Sequence, residues 1–222
     1  MIKCHNNIEE KITGLLFWIK VPPKDDKSSK ITETFDSQFA DSLFWILLKN
    51  HWFSLSKLQE NFRIYIGWQA SKEFSPTRLK KKTKLWQNDF NPKQFIFHEK
   101  SFKDNLTNIL QNIFKKEKSI FFISANEISY FPHDNLRLIE SFKNDFIAPS
   151  IENPSLMKLS KTNYEKNNLN DLDYIENKKI PKKFFLKINS EKQMLKFIIF
   201  LNKKNTISAQ NILKSLEELF NN

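Results

Sequence analysis

The chain has 222 residues, with a hydrophobic content of 40%, an aromatic content of 14% and a formal net charge of +11. This length and composition predict one larger globular domain or two small ones, and they exclude an intrinsically disordered chain. No apolar run approaches the about 20 residues that a membrane-spanning helix needs. The one cysteine, Cys4, excludes an intramolecular disulfide framework and indicates a cytoplasmic or organellar interior.

The N-terminal half is predicted to be mostly helical. Hydrophobic side chains recur at helical spacing from Phe35 to Leu47, and Ser75 followed by Pro76 has the pattern of a helix start. Three short helices, the third strongly basic, are compatible with a helix-turn-helix arrangement. The predicted elements are, in order, a short helix or strand over residues 6–23, helices over 35–50 and 55–63, a loosely alternating strand over 63–69 and a basic helix over 76–86.

The C-terminal half mixes strands and helices. Residues 119–124 are the best candidate for a buried strand, because they form a short apolar run rich in β-forming residues. Residues 149–181 are rich in Asn, Lys, Glu and Asp without a sustained period, and they predict a long surface loop or a partly disordered excursion. The other predicted elements are strands over 94–98 and 182–189, helices that begin after Ser101, Asp134 and Ser190, the second reaching Ile147, and a final helix with Ala209 to Phe220 on one side.

Together these patterns predict an α+β fold, with a mostly helical N-terminal half and a C-terminal half of helices packed on a small sheet. The predicted domain organisation is a helical, helix-turn-helix-like region over residues 1–92 and an α/β region over residues 93–222 that contains the polar loop at 149–181. No internal repeat is visible in the sequence.

Positive charge is concentrated in two blocks. The net charges are +1 for residues 1–71, +7 for 72–118, −4 for 119–177 and +7 for 178–222. Such segregation favours binding to a polyanion such as nucleic acid. Two alternatives stay open: an AT-rich genome favours lysine codons without selection for binding, and folding can bring the acidic block against the basic ones. Arginine is scarce, which argues against sequence-specific reading of bases.

The basic helix has two distinct sides when residues 78–86 are drawn at about 100° per residue. Leu79, Thr83 and Trp86 share one side, so Trp86 is predicted to pack into the core and not to act as a base-stacking platform. Leu85 is the apolar residue among the cations. The cations form a side suited to nonspecific phosphate contacts: Arg78, Lys80, Lys81, Lys82 and Lys84.

The sequence contains only two glycines, Gly14 and Gly67. Phosphate-binding loops, the dinucleotide-binding fingerprint and the nucleophile elbow all need several glycines at fixed spacing. None of these motifs occurs in this sequence. We therefore expect no P-loop, no typical dinucleotide-binding domain and no nucleotide cofactor.

No catalytic or metal-binding residue is assigned from the sequence. The four histidines and Cys4 lack the spacing of a metal site. His133 and Asp134 have the chemistry of a base and its orienting group, while a helix cap at Asp134 is the alternative. One polar stretch combines carboxylates with a lysine, as a metal-dependent nuclease requires: Asp171, Asp173, Glu176 and Lys178.

The sequence thus predicts a non-enzymatic, basic intracellular protein that binds nucleic acid or another polyanion through lysine-rich faces, largely without sequence specificity. Lys182 and Lys183 extend the patch predicted on the basic helix. One alternative is an assembly or scaffold subunit that holds a protein partner through aromatic surface, because the chain has five tryptophans and 22 phenylalanines. The other alternative is a carboxylate-dependent nuclease.

Overall fold

Strands and helices alternate along the first half of the chain in the computed structural model. The structure describes residues 13–20, 34–70, 76–86, 90–98, 102–125, 129–130, 144–148, 156–167, 176–177, 186–188, 190–204 and 206–221. Its strands are β1 (Thr13–Lys20), β2 (Phe62–Ala70), β3 (Lys93–His98), β4 (Ser119–Ala125), β5 (Ser129–Tyr130), β6 (Phe146–Ala148), β7 (Leu156–Ser160), β8 (Glu176–Asn177) and β9 (Leu186–Lys187). Its helices are α1 (Ser37–Ser56), α2 (Pro76–Lys84), α3 (Phe102–Ile113), α4 (Lys161–Asn167), α5 (Glu191–Lys204) and α6 (Ile207–Phe220).

Seven strands form one mixed sheet in the order β3-β2-β1-β4-β7-β6-β8. The neighbours β3, β2, β1 and β4 are parallel to each other. β7 runs antiparallel to both β4 and β6, and β8 pairs in parallel with β6. β5 and β9 form a separate antiparallel pair. The parallel half of the sheet is therefore built from β–helix–β connections, as in doubly wound α/β folds.

Helices cover both faces of β1. The ring of Phe17 lies 5.4 Å from that of His51 in α1, whereas the next side chain, Trp18, packs at 5.1 Å against Phe102 of α3. Successive side chains of a strand point to opposite faces, so α1 and α3 lie on opposite sides of the sheet. This arrangement explains why every residue from Gly14 to Ile19 is buried.

The fold class predicted from the sequence was wrong. The N-terminal half is not a run of helices but contains the parallel strands β1 and β2, and the sheet is large. A strand buried on both faces loses the alternation of polar and apolar residues that identifies a strand in a sequence. For this reason the sequence of residues 6–23 did not distinguish a helix from a strand. The helix predicted over 55–63 was also wrong, because this segment contains the end of α1, a connecting turn and the start of β2.

The surface loop or disordered excursion predicted over 149–181 was wrong for residues 156–167 and 176–177, which are the residues of this segment that the structure describes. This segment contributes β7, which lies inside the sheet between β4 and β6, as well as α4 and the edge strand β8. The helix predicted to reach Ile147 does not do so, because Phe146–Ala148 is a strand. The earlier part of that predicted helix, residues 134–143, lies outside the described residues.

Several elements were predicted correctly. The strands at 63–69, 94–98 and 119–124 correspond to β2, β3 and β4, and the stretch at 182–189 contains the short β9. The helix after Ser190 is α5, and the Ser190 hydroxyl accepts a hydrogen bond from the backbone N–H of Gln193 at 3.4 Å. The final helix is α6, with Ala209, Ile212 and Leu216 buried. Among the described residues, no helix is long and apolar enough to cross a membrane.

Candidate functional site

The four parallel strands end in register at one edge of the sheet. Lys20 at the end of β1 pairs with Gln69 of β2, and Ile19 pairs with Ala125 at the end of β4. On the far side, the end of β3 lies beside the end of β2. We call this edge the carboxyl edge. In open α/β sheets, ligands bind in the crevice outside the carboxyl ends of the strands.

The strand order reverses between β1 and β4. The chain places β2 and then β3 on one side of β1, and it later returns to place β4 on the other side. In doubly wound α/β folds, the segments that follow the two strands at such a switch point lead to opposite faces of the sheet, and ligands bind between them. The candidate functional site is therefore the carboxyl edge at β1 and β4.

Three polar side chains lie on one face of the sheet at this site. Because Trp18 pairs with Ser124 and Lys20 with Gln69, these side chains all project to the side covered by α3. The amide oxygen of Gln69 accepts a hydrogen bond of 3.4 Å from the indole N–H of Trp18. Lys20 is half-buried and supplies a positive charge where β1 ends.

Ser124 carries a buried hydroxyl. The residue is 4% exposed, and its Oγ has no hydrogen-bond partner within the part of the chain that the structure describes. Buried hydroxyls are nearly always hydrogen-bonded, so an unpaired one calls for a partner. A polar ligand at the carboxyl edge would supply that partner. Together Lys20 and Ser124 offer a cation and a hydroxyl to an anionic ligand.

The opposite, amino edge of the sheet contains a buried carboxylate. Glu117, whose side chain is 0% exposed, accepts hydrogen bonds at its Oε1 from Arg63 Nη1 at 2.7 Å and from the hydroxyl of Tyr65 at 2.6 Å. Gly14 leaves room for it, because a Cβ there would come within 3.1 Å of the Glu117 Cγ. These contacts tie β2 to the segment just before β4.

This cluster shifts the pKa of both partners of Glu117. Burial, then the hydrogen bond and the negative charge of Glu117, raise the pKa of Tyr65 well above its ordinary value. Burial is the largest single effect on Arg63 and acts to lower its pKa, but the charges and hydrogen bonds of Glu117 and Tyr65 together outweigh burial, so the pKa of Arg63 is raised. The cluster holds a neutral phenol and a charged guanidinium in place, and we interpret it as structural.

The basic helix predicted from the sequence is α2. Lys81, Lys82 and Lys84 are exposed. Arg78 and Lys80 lie within α2, but their side chains, like all of Lys182 and Lys183, lie outside the described part of the structure. Whether these cations contact a ligand stays a prediction.

The predicted orientation of this helix is confirmed at its C-terminal end. The Trp86 ring packs against Trp45 at 5.9 Å and against Trp52 at 5.8 Å, so it lies half-buried against α1, as predicted. Leu85 is 85% exposed and Thr83 is buried. One of these cations also makes a cation–π contact, since the Lys82 Nζ lies 4.6 Å from the centroid of the Trp45 ring.

The other candidate residues give no site in the described structure. His133, Asp134, Asp171, Asp173 and Lys178 lie outside the described residues. Glu176 begins β8 at the edge of the sheet. Among the residues that the structure does describe, no group of three or more His, Cys, Asp or Glu side chains is placed to hold a metal ion.

Sequence reasoning missed Lys20 and Ser124. Each stands near the end of a short apolar run, with Lys20 shortly before the two prolines. The available signal was that both runs are candidate strands, with the polar residue at the carboxyl end. Without the strand order, nothing in the sequence shows that the two runs are neighbours.

No family model matches the sequence, and no curated protein matches it. Its structure is similar to the crystal structure of a protein of Desulfovibrio desulfuricans G20 that is described as a proposed nucleotide-diphospho-sugar transferase. The TM-score is 0.59 at 10% sequence identity, and the match covers 94% of this chain and 97% of that chain. The similarity shows that the two chains share a fold.

This shared fold overturns the function predicted from the sequence. That prediction was a non-enzymatic protein holding nucleic acid on lysine-rich faces, and it drew on a three-helix, helix-turn-helix-like N-terminal region. The N-terminal region instead forms the parallel half of an α/β sheet, and the matching structure is described as that of a proposed nucleotide-diphospho-sugar transferase. The charge pattern misled because lysine content carries no information on fold.

Proposed function

We propose that this protein is a nucleotide-diphospho-sugar transferase that binds its substrate at the carboxyl edge of β1 and β4. The observation that carries the proposal is the fold shared, over 94% of the chain, with the protein described as such a transferase. Fold alone does not determine function, so the proposal also needs support from the site. That support comes from the switch point and the two polar groups beside it.

Lys20 has the chemistry that a diphosphate group requires. In a transfer reaction, the bond between the sugar and the diphosphate breaks, a new bond forms to an acceptor hydroxyl that loses its proton, and the nucleoside diphosphate leaves with the bonding electron pair. Negative charge therefore grows on the diphosphate. The half-buried Lys20 beside it would stabilise that charge more strongly than a fully solvated cation.

Ser124 would donate its buried hydroxyl to the same ligand. This hydroxyl has no partner among the described residues, so it would gain a hydrogen bond, which contributes about 0.5–1.5 kcal/mol in a typical protein setting. Substrate recognition here does not use a glycine-rich phosphate loop, since the chain has only two glycines and both lie within strands.

Isothermal titration with nucleoside diphosphates and their sugar conjugates, in buffer with Mg²⁺, tests the proposal. We expect at least one base to give saturable binding, and Lys20→Ala to weaken it about ten-fold, which corresponds to about 1.4 kcal/mol. The matched control is Lys118→Ala, because Lys118 is an exposed lysine at the amino edge, just before β4; it should change affinity less than two-fold.

Two results would contradict the proposal. One is the absence of binding to any nucleoside diphosphate or sugar conjugate at millimolar concentration. The other is equal weakening by the Lys20 and Lys118 variants, which would mean a diffuse charge effect. Release of free nucleoside diphosphate from the conjugate that binds, measured with time, tests the transfer step itself.

A further inference from the structure

A second concave site lies between three helices. A cavity of about 520 Å³ is lined by one side of α1, one side of α6 and the C-terminal end of α2. Its volume is within the range of sites that hold small organic ligands. The site uses none of the residues of the carboxyl edge.

The walls of this cavity are held together by direct contacts. The amide of Asn50 in α1 donates a hydrogen bond of 2.6 Å to the hydroxyl of Ser208 in α6. Phe39 and Phe220 of the same two helices pack with their rings 5.5 Å apart. The third wall is fixed because Trp86 packs edge-on against Trp45. The cavity is therefore preformed.

Aromatic side chains form much of its apolar lining. Trp45, Trp86 and Phe53 all line the cavity, and Phe53 is 38% exposed, so part of its ring is open to a ligand. Exposed aromatic surface inside a concave site favours a flat apolar ligand, because stacking and edge contacts add to the burial of area.

The cavity is also positively charged. Three lysines line it, Lys49, Lys82 and Lys214, against one carboxylate, Glu218. Lys82 lies over the ring of Trp45, so a cation and an aromatic face stand together. These lysines come from three different helices, and only folding brings them to one place.

We propose that this cavity, which we call the α1–α2–α6 pocket, binds an organic anion with a flat aromatic body and a carboxylate, sulfonate or phosphate group. The aromatic body would lie against Trp45, Trp86 and Phe53, and the acidic group would face the three lysines. Charge complementarity selects an anion, and the aromatic lining distinguishes the ligand from an inorganic ion. The pocket is separate from the proposed substrate site.

Titration with 8-anilino-1-naphthalenesulfonate, followed by its fluorescence, tests this proposal. We expect saturable binding of one probe per chain, with affinity that falls as salt is added. Its uncharged analogue, N-phenyl-1-naphthylamine, should bind more weakly at the same place. Replacing the three pocket lysines together (Lys49→Gln, Lys82→Gln, Lys214→Gln) should lower the affinity for the sulfonate at least ten-fold and the affinity for the uncharged probe less than two-fold.

Matched controls separate the pocket from general surface charge. The triple variant Lys103→Gln, Lys192→Gln, Lys196→Gln removes three exposed lysines that do not line the pocket, and it should leave both affinities within two-fold. Phe53→Ala should lower the affinity for both probes about five-fold. Lys20→Ala should leave both unchanged, so a failure here is distinguishable from a failure of the proposed transferase site.

The proposal is overturned if the two triple variants lower the affinity for the sulfonate equally, or if Phe53→Ala leaves the affinities for both probes unchanged. It is also overturned if binding does not saturate at one probe per chain. Circular dichroism of each variant identifies any that has lost its fold. If the pocket triple variant unfolds, the single variant Lys214→Gln, at an exposed position of α6, replaces it and should weaken the sulfonate about three-fold.

Discussion

Gly67 lies directly opposite Trp18 in the pairing of β1 with β2. A Cβ at this position would stand 2.9 Å from Cε3 of Trp18 and 3.4 Å from its Cζ3. The indole is itself enclosed, since Trp18 is 0% exposed and packs against Phe97, Phe102 and Phe122. Glycine is needed here for space, because the tryptophan ring occupies the place of a side chain.

We therefore expect Gly67→Ala to lower the free energy of unfolding by about 1–3 kcal/mol, the range for overpacking in a core. Urea denaturation measures the loss. In a Trp18→Phe background, the same substitution should lower the free energy of unfolding by a smaller amount, because the smaller ring leaves room for the methyl group and the two sites are in contact. Equal losses in the two backgrounds would show that Trp18 is not what excludes the methyl group.

At the scale of elements, β7 shows how a central strand can be missed. Its five residues contain Lys158 and Ser160, and polar segments surround it in the sequence. Yet Leu156, Met157 and Leu159 are at most 1% exposed. The half-buried Lys158 keeps its Nζ 5.5 Å from the centroid of the Phe121 ring on β4. Burial lowers the pKa of Lys158, and the charge of Asp145 offsets part of this effect.

Met157→Ala is expected to destabilise the protein by about 2–5 kcal/mol, because it leaves a cavity in the middle of the sheet. The exposed Lys166→Ala in α4, further along the same segment, should change stability by less than about 0.5 kcal/mol. Thermal or urea unfolding of both variants measures the difference. Equal, small effects would mean that this segment is a surface loop, as the composition of residues 149–181 had indicated.

At the scale of the whole molecule, one sheet draws strands from both of the regions predicted at residues 1–92 and 93–222. β1 pairs with β2 on one side and with β4 on the other, each over seven or eight residue pairs. Two regions that share a continuous hydrogen-bonded sheet and one hydrophobic core are expected to unfold together. The division at residue 92 itself stays a prediction.

The distribution of tryptophan makes this coupling measurable. All five tryptophans lie before residue 92, whereas α3 to α6 all follow it. Tryptophan fluorescence thus reports on the first region, and far-ultraviolet circular dichroism reports on helices of both. We expect the two signals to give the same urea midpoint. Separate midpoints would show that the two regions unfold independently.

The sequence by itself determined the local elements whose pattern is complete within one segment. The apolar stripe of α3, the apolar stripe of α6 and the buried run of β4 could each be predicted, because helix and strand periods act between near neighbours. The absence of glycine-rich phosphate loops could also be predicted, since those motifs are local.

Only the tertiary structure decided the strand order and, with it, the candidate site. Lys20 and Ser124 are more than 100 residues apart in the sequence, and they share a face because β1 pairs with β4 in register. Lysines 49, 82 and 214 meet in one pocket for the same kind of reason. Parallel pairing depends on contacts between distant segments, and strands buried on both faces carry no local pattern that specifies their neighbours.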